Sequence, residues 1–191
     1  MHRMLDLPAD RPRSPLAPLD EFYATLGLEP PRLALVEAHA LPPDARALLA
    51  APGPLTRRLE ERERQPVALR VLERTHVGDV YRRRVVLVRS ADATPLALGA
   101  IKVDLTRVAP AAKAAILAER EPFGRIVRVA DDAPSRLFRL AADAAIAGAL
   151  DVAPGAALHG RSRLVVDRGG DTIAEIAEIL VPGSAAAAAR D

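Results

Sequence analysis

Two runs that read as β-sheet each hold a charge in their interior, and this constrains the fold more than any other feature of the chain. Val80-Tyr81-Arg82-Arg83-Arg84-Val85-Val86-Leu87-Val88 contains Arg84, and the run 172–181 contains Glu178. A charge withdrawn from water is costly unless it meets an opposite charge or a charged ligand. The two runs are distant in sequence, but neighbouring strands of one sheet would bring their side chains together. An arginine that grips a carboxylate, beside a glutamate that holds a hydroxyl or moves a proton, would make a site for a small acid.

Strand alternation puts Arg84 on one face with Arg82, Val86 and Val88, and puts Tyr81, Arg83, Val85 and Leu87 on the other. Periodicity alone therefore leaves open which face is buried. Three consecutive arginines also read as guards on a solvated strand edge. Glu178 shares its face with Ala174, Ile176 and Leu180, while Glu175 lies on the opposite face. A carboxyl among apolar groups has its pKa raised unless an arginine compensates, and both functional sites and structural ion pairs produce such settings. Lys102, Arg161 and Arg163 would add positive potential near the same place, or serve as surface charges.

The remaining segments predict an α+β fold built on a mainly antiparallel sheet. Prolines 8, 12, 15 and 18 mark residues 1–18 as a flexible leader. Helices are predicted over 20–26, 44–50, 55–64, 110–120 and 134–150, with Pro134 suited to a first helical turn. Strands are predicted over 33–36, 67–73, 80–89, 96–105 and 125–129. The final hairpin, 162–167 and 172–181, turns at Arg168-Gly169-Gly170-Asp171, where glycine supplies the positive φ of a tight turn. Residues 19–183 form a single domain, and the alanine-rich tail 184–191 has nothing to pack against.

Composition narrows the function classes. The 191 residues include three Phe, two Tyr and no Trp, too few aromatics for a base-stacking surface. A net charge of +2, with no basic tract, argues against a nucleic-acid partner. Cysteine is absent, which removes disulfides, thiolate metal sites and cysteine nucleophiles. The four histidines show no ligand spacing, so no metal is expected. Neither a secretory signal nor a membrane span is visible, which implies a cytoplasmic protein with no membrane partner. A cofactor-free pocket is the idea that survives.

Four blocks, in order, resemble the chorismate pyruvate-lyase (4-hydroxybenzoate synthase) family, especially its divergent actinobacterial and archaeal branch. They are Gly53-Pro54-Leu55-Thr56-Arg57-Arg58-Leu59-Glu60, then Tyr81-Arg82-Arg83-Arg84-Val85-Val86-Leu87, then Glu121-Pro122-Phe123-Gly124-Arg125. The last is Gly160-Arg161-Ser162-Arg163-Leu164, a glycine turn, and Glu178-Ile179-Leu180-Val181-Pro182. The resemblance implies helical flaps closing over a buried pocket in an antiparallel sheet. It implies that Arg84 binds the ring carboxylate of chorismate, that Glu178 faces the ring hydroxyl, and that Leu55 and Phe123 belong to the flaps. Phe123 stands where the family has Leu, and Ala100 where the better-known lyases carry a second arginine, for which Lys102 is the candidate substitute. The implied activity is a cofactor-free carbon–oxygen lyase that releases pyruvate and 4-hydroxybenzoate. The alternatives are a non-catalytic domain of the same fold that binds a small aromatic acid, as in the effector domains of bacterial transcription regulators, and a lyase acting on a related carboxylated substrate.

Overall fold

The computed structural model describes residues 14–127 and 135–183. In chain order the elements are α1 (Leu19–Thr25), β1 (Leu33–Leu35), α2 (Pro43–Leu49), α3 (Leu55–Glu63), β2 (Val67–Val77), β3 (Val80–Arg89) and β4 (Pro95–Asp104). They continue with α4 (Pro110–Ala118), α5 (Phe123–Ile126), β5 (Arg136–Ala141), α6 (Ala144–Leu150), β6 (Ala157–Val166) and β7 (Thr172–Leu180). The seven strands make one antiparallel sheet in the order β1-β5-β6-β7-β4-β3-β2. The fold is α+β, as expected.

Helices cover both faces, because the central strands are apolar on both sides. On one face α1 and α6 bring Leu19, Phe22, Tyr23, Ile146 and Leu150 against Val86, Leu98 and Ile179. On the other, α2 and α3 set Leu48, Leu49, Leu55 and Leu59 over Val85, Leu87 and Leu180. Beside them, α4 and α5 set Ile116 and Phe123 over Tyr81, Ile101, Val103 and Ile176. This second face thus has two separate helical covers with a seam between them.

The β6–β7 hairpin turns with Gly170 at φ +88°, as its glycines predict. Two expectations fail. The helix expected over 134–150 is instead, from Arg136 on, β5 followed by the shorter α6, and Pro134 lies outside the described residues. Leu137 and Leu140 fit either period, but Phe138 and Leu140 pack together on the α1 side while Leu137 faces α2 and α3, which is strand alternation. The helix begins only at Asp143, whose side chain accepts from the Ile146 N–H at 2.8 Å as an N-cap. The strand expected over 125–129 is α5 through Ile126, with 128–129 outside the described residues. Of the expected leader, residues 14–18 are described, and Leu16 is buried in the core there. The tail 184–191 lies outside the described residues.

Candidate functional site: a cationic pocket under two helical flaps

Strand register decides which charges meet. Across the sheet, Val85 pairs with Gly99, Gly99 with Glu178, and Glu178 with Arg161. The adjacent row on the same face is Arg83, Ile101, Ile176 and Arg163. Arg84 belongs to the intervening row with Ala100, Ala177 and Ser162, whose side chains leave the sheet in the opposite direction. Arg84 and Glu178 therefore do not share a cavity, and the expected pair is corrected to Arg83 and Glu178. Arg84 Nη2 donates to Glu73 Oε1 on β2 at 2.6 Å. Lys102 lies on that same far face, where its Nζ donates to Glu21 Oε1 of α1 at 2.6 Å, so it supplies no charge to the pocket.

The pocket sits at the seam between the two helical covers. Its floor comprises Arg83, Val85, Leu87, Gly99, Ile101, Arg163, Ile176 and Glu178, and its roof Pro54, Leu55, Thr56, Pro122, Phe123 and Gly124. Of the five residues picked from sequence, Leu55, Phe123 and Glu178 line it, and Arg84 and Lys102 do not. The space is about 40 Å³ and mostly apolar. An outer groove shares Pro54, Phe123, Gly124 and Arg163 with the pocket and measures about 680 Å³. Phe123 therefore stands between the interior and solvent.

Arg83 is the residue that sequence reasoning missed. It is 1% exposed. Its Nη2 donates to the Glu121 carbonyl at 3.0 Å, while Nε and Nη1 find no hydrogen-bond acceptor among the described residues. Burial pushes its pKa down, an effect that the nearby Tyr81 hydroxyl and Glu119 carboxylate oppose. An arginine stays protonated at neutral pH even so. A buried cation with idle donors is unusual, and an acceptor brought by an anion would satisfy it.

Glu178 is buried too, but it has a partner. Arg161 Nε donates to Glu178 Oε2 at 2.6 Å. The other ends of the same guanidinium reach the α2–α3 connection: Nη1 donates to the Leu49 and Ala51 carbonyls at 3.3 and 3.2 Å, and Nη2 to Gly53 at 3.0 Å. Arg161 thus neutralises the carboxylate and ties the flap hinge to the sheet. Glu178 Oε1 accepts no bond from a described residue and remains able to take a ligand hydroxyl. The first turn of α3, at Leu55 and Thr56, has no side-chain cap, so its N–H groups add positive potential to the roof.

The flaps meet over the pocket. Pro54 abuts Gly124 so closely that a Cβ at Gly124 would lie 2.6 Å from Pro54 Cβ. Glu60 of α3 pairs with Arg125 of α5, and both also hold the main chain of Val67, whose N–H donates to Glu60 and whose carbonyl accepts from Arg125. Among the described residues, no cluster of His, Asp and Glu is arranged to hold a metal ion, and no helix is long and apolar enough to cross a membrane.

No family model matches the chain, and no curated protein does. Solved structures do. The ligand-binding domain of a protein described as a GntR-family transcriptional regulator from Bordetella bronchiseptica is 19% identical, with a TM-score of 0.50 over 61% of this chain and 86% of that one. The effector domain of PhnF from Mycobacterium smegmatis is 14% identical, with a TM-score of 0.51 over 67% and 88%. The longer PhnF structure is matched over 63% of its length, at 14% identity and a TM-score of 0.53. At these identities the likeness establishes the fold, which GntR-family ligand-binding domains share with chorismate lyase. The Bordetella protein is a transcription regulator by its description, so the expectation of no nucleic-acid partner gains no support.

Proposed function

We propose that this chain is a small-molecule-binding domain of effector type whose ligand is a small acid, with an aromatic hydroxy acid such as 4-hydroxybenzoate as the nearest fit. The observation that carries this reading is Arg83, a fully buried cation with two unused donor positions, set in the same pocket as Glu178. The ligand's acid group would take the Arg83 guanidinium, where charge-assisted bonds in a dry site are strongest. Its hydroxyl would donate to Glu178 Oε1. The apolar walls would hold the ring. The neighbours titled as ligand-binding and effector domains favour binding over catalysis.

A lyase reading survives on one observation: Glu178 and Arg83 face one pocket beneath closed flaps, as positioning and charge stabilisation of chorismate would require. The two readings separate in one experiment. The protein is incubated with chorismate, pyruvate and 4-hydroxybenzoate are followed by chromatography, and 4-hydroxybenzoate binding is measured in parallel by calorimetry. The effector reading expects binding with no pyruvate above the spontaneous rate. Turnover that Glu178→Gln abolishes would establish the lyase instead, and absence of binding to either compound would remove both.

A further inference from the structure

We propose that Gly99 is the seat of a flat six-membered ring, and that its missing side chain sets the largest ligand the pocket accepts; this rests on the small-acid reading above. Gly99 lies in the middle of the pocket floor, on β4, with β3 paired on one side and β7 on the other. Glu178 is its direct partner on β7, and Val85 its partner on β3. Arg83 is two residues further along β3, diagonal to Gly99 on the same face, at roughly 7–8 Å between backbones. The glycine therefore sits between Arg83, a buried donor with idle N–H groups, and Glu178, whose Oε1 accepts no hydrogen bond from a described residue. A ring laid over it directs one edge at Arg83 and another at Glu178.

The surroundings suit a ring. Leu55, Leu87, Ile101, Phe123 and Ile176 supply apolar walls. Nothing strains the glycine itself, because a Cβ built on it meets only Val85 Cγ2, at an ordinary 3.4 Å. The backbone thus tolerates a side chain here, and its absence leaves space that the pocket uses. That space is tight: the pocket is about 40 Å³, whereas an apolar cavity of roughly 150 Å³ is what holds a benzene ring. The floor is hydrogen-bonded on both sides and does not yield, so ring entry must displace the roof. Any side chain at Gly99 subtracts from a volume already short.

The test compares wild type, Gly99→Ala and Gly99→Val by calorimetric or NMR titration with two probes, 4-hydroxybenzoate and inorganic phosphate. Phosphate reads the Arg83 anion site without a ring. The proposal expects Gly99→Val to weaken 4-hydroxybenzoate at least tenfold, with Gly99→Ala in between, while phosphate binding stays within about twofold of wild type. Ring binding unchanged in Gly99→Val overturns it. So does equal loss of both probes, since the residue would then shape the fold or the anion site. Phosphate binding without 4-hydroxybenzoate binding in wild type overturns the ring seat alone and leaves the anion reading standing. Failure of wild type to bind either probe overturns both.

Discussion

Arg83 and Arg161 are both about 1% exposed, yet they stand in opposite energetic positions. Arg161 has its charge compensated by Glu178 and its donors filled by three flap carbonyls. Removing it strands a buried carboxylate, so Arg161→Met should destabilise the fold by about 3–5 kcal/mol. Arg83 has a single carbonyl acceptor. Removing it relieves a desolvation that Tyr81 and Glu119 only partly offset, so Arg83→Met should leave stability unchanged or raise it by about 1–3 kcal/mol. Urea unfolding of the two variants checks the contrast, and a large loss in Arg83→Met would mean that its charge serves the fold. The sequence offers an inward arginine in the 82–84 run as one of two readings, beside edge guards, and it shows Glu178 among apolar neighbours. It does not show which arginine, because parity on β3 has meaning only relative to β7, and β4 lies between them. A shift of one residue exchanges faces. Arg84, deepest in the run, satisfies Glu73 on the far side.

The two flaps, α3 and α5, meet over the pocket. Besides the Pro54–Gly124 contact, their tie to each other is the partly exposed Glu60–Arg125 pair, of a kind worth about 0–1 kcal/mol. The buried Arg161 tie to the α2–α3 connection is much stronger. Opening should therefore separate α3 from α5 while the hinge stays fixed to β6. Glu60→Gln should change stability by less than about 1 kcal/mol and speed both association and dissociation of 4-hydroxybenzoate, with a smaller change in affinity. Stopped-flow or NMR line-shape measurements read this, and unchanged rates would show that the clasp does not govern access. Both flap starts were legible as helix or turn signals around Pro54-Leu55-Thr56 and Pro122-Phe123-Gly124. The element that sequence misassigned, β5, has leucines at 137 and 140 that suit a helix as well as a strand. Pairing with β1 and β6 overrides that local ambiguity.

At the scale of the molecule, a sheet covered on both faces divides its charges between two jobs. On the face under α1 and α6, Arg82 and Lys102 pair with Glu21 of α1, and Arg84 pairs with Glu73 on the neighbouring strand. The face under the flaps keeps Arg83 and Glu178 at one pocket. Overall class and the hairpin at the end followed from periodicity and turn residues, whereas the division between faces required the register of four strands. That division is also the account's most exposed claim, because it assigns different fates to two adjacent arginines. Titration of 4-hydroxybenzoate into wild type, Arg83→Met and Arg84→Met tests it most directly. The account predicts that Arg83→Met loses affinity by about 100-fold, as expected for two charge-assisted hydrogen bonds, while Arg84→Met stays within about threefold of wild type. Loss of binding in Arg84→Met with Arg83→Met unaffected would contradict it.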